Sequence, residues 1–138
     1  MEAFDGQLIT KEIDVQPKVE NGLIISDMEN DVLKLAVINR YEDLKPAISF
    51  IKNFNLEKGA IASCVGHDSH NIIAVGTNDK DLCDAVNTII ENKGGISVAD
   101  NGKIDVLPLP VAGIMSNEDA YLVAGKYLKL DRLAKARG

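Results

Sequence analysis

The sequence predicts an α+β or α/β fold, a mixed β-sheet with about three helices packed on it. The first sign is a pair of apolar runs, Ile61–Val65 and Ile72–Val75, which bound a short polar segment. Such runs read as two buried strands joined by a turn. The second sign is Leu82, Ala85, Val86, Ile89 and Ile90, spaced i, i+3, i+4, i+7, i+8 as on an amphipathic helix. The third is the order of elements. Strand, strand, helix recurs along the chain and hints at an internal duplication, without a residue-level match between copies.

In chain order, Gln7–Val15 alternates imperfectly and suggests an edge strand. Asn21-Gly22 marks a turn before the short apolar run Leu23–Ile25. Leu33–Ile38, LKLAVI, reads as a strand followed by Asn39 and Arg40. Tyr41–Asn55 reads as a short helix, with Pro46 suited to its first turn and Ala47, Phe50, Ile51 and Phe54 at helical spacing.

Asn78 is the expected cap of the next helix, and Asp79 and Asp81 complement its positive end. Gly94 falls where a left-handed C-cap belongs. Gly95–Ala99 and Lys103–Leu107 form an expected hairpin around Asp100-Asn101-Gly102. Two prolines keep Leu107–Gly113 out of a sheet centre, so it should lie extended over something. Ser116–Asp119 resembles a capping box, opening a final helix from about Asn117 to Lys135. Val123, Tyr127, Leu130 and Ala134 make its apolar stripe. Lys129, Arg132, Lys135 and Arg137 suit a helix C-terminus and a solvated face.

The 138 residues are read as one domain, 1–138, with an aliphatic core: 46% of residues are hydrophobic, only 4% aromatic, and Trp is absent. A formal net charge of −6 argues against a nucleic-acid-binding face. No apolar run approaches the roughly 18 residues that span a bilayer. The N-terminus carries acids and no apolar stretch, so no signal peptide is expected. With two cysteines, Cys64 and Cys83, a reduced cytoplasmic protein is the simpler reading.

The chemistry concentrates in HDSHN: His67, Asp68, Ser69, His70 and Asn71. It holds both histidines of the chain, between two buried strands, where a rigidly held loop commonly carries function. The plainer alternative is a turn, because Asp, Ser and Asn bond nearby backbone groups. His67 and His70 are metal candidates, with Asp68 or Cys64 as a third ligand to complete a zinc-type set. Asp68 and His70 are two apart and share a face if the loop stays extended, which allows acid–base work. The chain contains no GxGxxG, Walker A, HExxH or GxSxG motif, and no deaminase signature of HxE followed by PCxxC.

GAIASCVGHDSHNIIAVGTNDKDLCDAVNTIIENKGGISV closely resembles the C-terminal region of bacterial and archaeal adenine deaminases. LPLPVAGIMS, and the upstream AVINRY with IKNFNLEKGAIAS, resemble further signatures of that region. Together they cover about Thr10 to Ser116. Cys64 departs from the pattern, where a serine is expected. The resemblance implies a parent enzyme of the amidohydrolase superfamily that hydrolyses adenine to hypoxanthine and ammonia. It implies a divalent metal (Mn, Fe or Zn) held in a barrel from another part of the enzyme, with no cofactor bound by this fragment. The chain would then be an accessory C-terminal domain, inactive alone, with the barrel as its partner and HDSHN at the edge of the active site. An apolar docking patch would favour self-association, and a homo-oligomer is expected. The alternatives are a freestanding ligand- or metal-binding module, or a purely structural domain.

Overall fold

Strands β7 (Ala60–Ser63) and β8 (Ile72–Gly76) pair at the centre of a six-stranded sheet, as their apolar runs require. The structure, a computed structural model, describes residues 1–138. Outward from β8 lie β5 (Leu33–Ile38) and the edge strand β6 (Ala47–Ile51). Outward from β7 lie β9 (Gly95–Asp100) and the edge strand β10 (Lys103–Pro108). Every neighbouring pair is antiparallel. Two small ladders precede this sheet: β1 (Glu2–Ala3) with β2 (Thr10–Lys11), and β3 (Lys18–Glu20) with β4 (Leu23–Ile25). Only Thr10–Lys11 of the expected strand Gln7–Val15 is paired.

Two helices pack on the sheet, α1 (Asp79–Glu91) and α2 (Ala120–Lys135). The expected mixed sheet with three helices is therefore corrected to a mainly β fold with an antiparallel sheet and two helices. The missing helix is Tyr41–Asn55, which instead supplies β6 and pairs Leu33 with Ile51 through Val37 with Ala47. Asn53 and Asn55 adopt left-handed φ of 72° and 54°, which cuts a helix short after Pro46. Ile51 gains more as a sheet residue, buried with Leu33, Leu35, Leu56 and Val75. Local spacing lost to tertiary pairing. The duplication fails with it, because the first strand pair carries no helix.

Alternation divides the sheet into two faces. Ala36, Ala60, Ala62, Ala74 and Ala99 point to α1 and let Leu82, Ala85, Val86 and Ile89 approach closely. Ser97 adds a buried hydrogen bond, Oγ to the Ala85 carbonyl at 2.8 Å. Residues one position off, Ile61, Ile96 and Val98, face α2, where Leu130, Leu133 and Ala134 meet Leu107 and Leu109. Truncating a fully buried residue such as Ile89 should cost about 2–5 kcal/mol.

The helix ends follow local chemistry. Asn78 caps α1, its Oδ1 accepting the Asp81 N–H at 2.8 Å. At the C-terminus the Gly94 N–H reaches the Ile89 carbonyl and the Lys93 N–H reaches that of Ile90, a Schellman closure. Lys93, at φ 59°, takes the left-handed position expected of Gly94. Gly94 is needed for another reason: a Cβ there would strike the backbone of Gly113. Asp119, not Ser116, caps α2, accepting from the Tyr121 and Leu122 N–H groups. Arg137 leaves the solvated face assigned to it. It is buried, donates to the Leu133 carbonyl at 2.5 Å and faces Asp100. Neither helix is long and apolar enough to cross a membrane.

Candidate functional site

HDSHN is the connection between the two central strands. The His70 N–H donates to the Gly66 carbonyl at 2.9 Å, which folds the loop back on itself. His70 adopts φ 52°, a left-handed conformation uncommon outside glycine, though histidine is among the residues that tolerate it better. The side chains divide by exposure. His67 and Asp68 are 91% and 85% exposed, and Nδ1 of the first contacts a carboxylate oxygen of the second. Ser69 is also exposed, whereas His70 and Asn71 are half-buried. Nδ1 of His70 is buried without a hydrogen-bond partner in the chain. The two imidazole rings lie 6.3 Å apart, centre to centre.

The loop's backbone is held from outside. Arg40, just past β5, donates from Nη1 to the His70 carbonyl at 2.9 Å. Its backbone N–H reaches Oδ1 of Asn71 at 3.4 Å, and the Tyr41 hydroxyl donates to the Ser69 carbonyl at 3.0 Å. From Nη2, Arg40 also donates to the Ala112 carbonyl at 2.9 Å. This brings Leu109–Met115 against the same end of the sheet; the segment expected to lie extended here instead folds after Pro110 into a turn closed by the Val111–Met115 pair, with Ala112 and Gly113 left-handed. Cys64, at the end of β7, secures that segment too. Its buried thiol donates to the Gly113 carbonyl at 2.8 Å and accepts from the Gly95 N–H at 3.1 Å.

AVINRY, GHDSHN and LPLPVAGIMS, far apart in sequence, therefore meet in one place. The loop borders a largely apolar cleft of about 360 Å³ between the sheet and α2, reached through Ser63, Val65, Gly66 and Ile73 and walled by Tyr127 and Leu130. On the α1 side a more polar hollow of about 440 Å³ lies among Asn39, Arg40, Glu42, Lys93 and Gly94.

These residues do not fit a resident metal. No group of three His, Cys, Asp or Glu side chains converges, where zinc enzymes use three protein ligands. Cys64 is turned inward to its two backbone partners, away from a metal-ligand role beside His67. The loop offers hydrogen-bond donors and acceptors on an exposed rim, with a fixed backbone beneath them. Arg40 and Tyr41 went unrecognised in the sequence reading. The available signal was an arginine placed directly after a buried strand, within one of the signature stretches.

The family model described as adenine deaminase C-terminal domain matches residues 7–138. An adenine deaminase of Methanosarcina acetivorans is 52% identical over 136 residues, which is 99% of this chain and 25% of that protein. That of Sulfurovum sp. is 50% identical over 133 residues, 96% of this chain and 24% of that protein. That of Borreliella burgdorferi is 45% identical over 136 residues, 98% of this chain and 25% of that protein. The chain thus spans about a quarter of the length of the curated relatives it matches. With a family model matching residues 7 to 138, this chain belongs to the adenine deaminase C-terminal domain family.

Proposed function

We propose that this chain serves as the C-terminal part of an adenine deaminase, which hydrolyses adenine to hypoxanthine and ammonia. The similarity to curated adenine deaminases supports the reaction. The divalent metal of that chemistry, Mn, Fe or Zn, is assigned to an amidohydrolase barrel in the remaining length of the enzyme, since this chain brings no three ligands together. The barrel is the domain's partner, and adenine reaches the domain only at their shared edge. Nucleic acid and membrane are not among the partners proposed. The enzyme is read as a cytoplasmic homo-oligomer. Cys83, an exposed free thiol, supports a reducing compartment.

HDSHN is the part that faces the substrate. The observation that carries this reading is the contrast between its side chains and its backbone. His67, Asp68 and Ser69 are exposed, while Arg40 and Tyr41 hold the carbonyls of His70 and Ser69. A loop ordered before binding loses little entropy when its polar groups take a ligand. Imidazole, carboxylate, hydroxyl and amide groups suit the ring nitrogens and exocyclic amine of a purine. His67, Asp68, Ser69, His70 and Asn71 are therefore assigned to substrate contact or gating.

The test is His67→Ala and His70→Ala in the full-length, metal-loaded enzyme. Adenine turnover per KM should fall about tenfold or more, with metal content and melting temperature unchanged. Unchanged kinetics in both variants would leave HDSHN as an internal hydrogen-bonded corner.

A further inference from the structure

We infer that Arg40 is a positioning residue that fastens the HDSHN loop and the Leu109–Met115 segment into one rigid rim. The observation is geometric and independent of any ligand. One guanidinium donates to two backbone carbonyls, those of His70 and Ala112, from two different nitrogens at 2.9 Å each. The loops it joins are 42 residues apart, the difference between 112 and 70. Its planar fork makes this bridge possible, and a lysine, with a single ammonium, cannot span both sites in the same way.

The surroundings are shaped around this guanidinium. Gly113, at φ 82°, lies so close that a Cβ would collide with three guanidinium atoms. The missing side chain makes room for Arg40, and glycine takes the left-handed conformation without strain. Tyr41 stands beside it, its ring centroid 5.7 Å from the Arg40 Cζ, and its hydroxyl holds Ser69 one residue upstream of His70. Cys64 also holds the second segment, its thiol donating to the Gly113 carbonyl. The Leu109–Met115 segment thereby becomes part of the platform for the polar loop.

The functional half of this inference rests on HDSHN touching adenine. Arg40 then acts on turnover only through the loop, and its loss lets His67 and His70 drift from the substrate. Hydrogen–deuterium exchange on this chain tests the structural half. Arg40→Met should raise exchange about tenfold in both 66–71 and 111–115, leaving the amides of both helices unchanged. Gly113→Ala, which expels the guanidinium, should loosen the same two stretches, and the double variant should be no looser than Gly113→Ala alone. Loosening of only one stretch, no loosening, or additive effects would overturn the bridge.

The kinetic half is read on the full-length, metal-loaded enzyme. Arg40→Met should raise KM for adenine about tenfold with kcat within about twofold, and Arg40→Lys should not restore it. Adding Arg40→Met to His70→Ala should bring no further loss. If His70→Ala raises KM and Arg40→Met does not, the positioning role falls. If neither histidine variant alters KM, the substrate reading falls, while the exchange experiment still decides whether Arg40 couples the loops.

Discussion

The thiol of Cys64 is buried against the carbonyl of Gly113, 2.8 Å away, at the point where a central strand meets the segment after β10. A serine hydroxyl donates in the same direction, and serine is the residue the family resemblance leads one to expect there. Cys64→Ser should therefore change the melting temperature by only a few degrees, the shift that roughly 1 kcal/mol produces in a domain of this size. Cys64→Val fills the volume but leaves the Gly113 carbonyl and Gly95 N–H short of a partner. It should cost about 1–3 kcal/mol in urea unfolding. Equal stability of the serine and valine variants would show that packing, and not the two hydrogen bonds, fixes Cys64.

Asp81 ties α1 to the tip of the β9–β10 hairpin. It is buried, accepts the Asn101 N–H at 2.9 Å on one oxygen and the Asn78 side-chain amide at 2.7 Å on the other. Asp81→Ala removes a buried acceptor shared by a helix cap and a turn, and should destabilise the chain by about 2–3 kcal/mol in urea unfolding. Nuclear magnetic resonance shifts should change at both Asn78 and Asn101. A loss confined to the helix would show that the turn at Asn101-Gly102 holds itself.

Asp27 gives the chain a local pH response. The side-chain amide of Asn30 donates to its carboxylate at 2.7 Å and holds its pKa below the ordinary value of 3.8. A carboxyl depressed in the folded state stabilises that state above the unfolded pKa, and the contribution disappears as pH falls through the folded value. The group sits partly exposed at the surface, where solvent screens its interactions, so the effect on global stability is small. Carboxyl titration by nuclear magnetic resonance should place the Asp27 midpoint below 3.8, and Asn30→Ala should raise it. An unchanged midpoint in Asn30→Ala would remove the amide as its cause.

What could be read in the sequence followed the range of the physics. Leu33–Ile38, the two central strands, α1 and the Asn101-Gly102 hairpin are fixed by patterns a few residues long, and each forms as expected. Ile51 is different: its partner Leu33 lies 18 residues away, and helical spacing said nothing of that pairing. The polar loop was visible as five residues between strands. The guanidinium beneath it was not, because a lone Arg40 carries no periodicity and its acceptors are backbone carbonyls of distant residues. Both histidines are brought near each other, but at 6.3 Å with no third ligand, a geometry that spacing alone could not give.

The β3–β4 hairpin bears on assembly. It pairs with no strand of the main sheet, yet Leu23 is 66% and Val19 57% exposed. An isolated two-stranded ribbon is marginal in water, and bare apolar side chains on it favour any contact that covers them. Light scattering of this chain at high concentration should show species larger than a monomer. Leu23→Glu with Val19→Lys should shift the distribution toward monomer while leaving the circular dichroism of the helices intact. A monomer at every concentration in the unaltered chain would count against an apolar docking surface here.

Purified alone and supplied with adenine and a divalent metal, this chain should release no ammonia. Hydrolysis at neutral pH needs a water made nucleophilic, and a metal site does this with about three protein ligands and one open position. Here no three ligating side chains converge, the Cys64 thiol is committed to backbone partners, and exposed His67 and half-buried His70 stand with their rings 6.3 Å apart. A coupled ammonia assay on material freed of host enzyme decides the matter, with the full-length enzyme as positive control. Titration of the chain with Mn, Fe or Zn, followed by calorimetry, separates two outcomes the assay alone merges. Weak binding abolished by His67→Ala would show a peripheral histidine pair without chemistry. Adenine turnover that follows metal occupancy in the chain by itself would mean that the reactive centre lies here, and the division of labour with a barrel would fall.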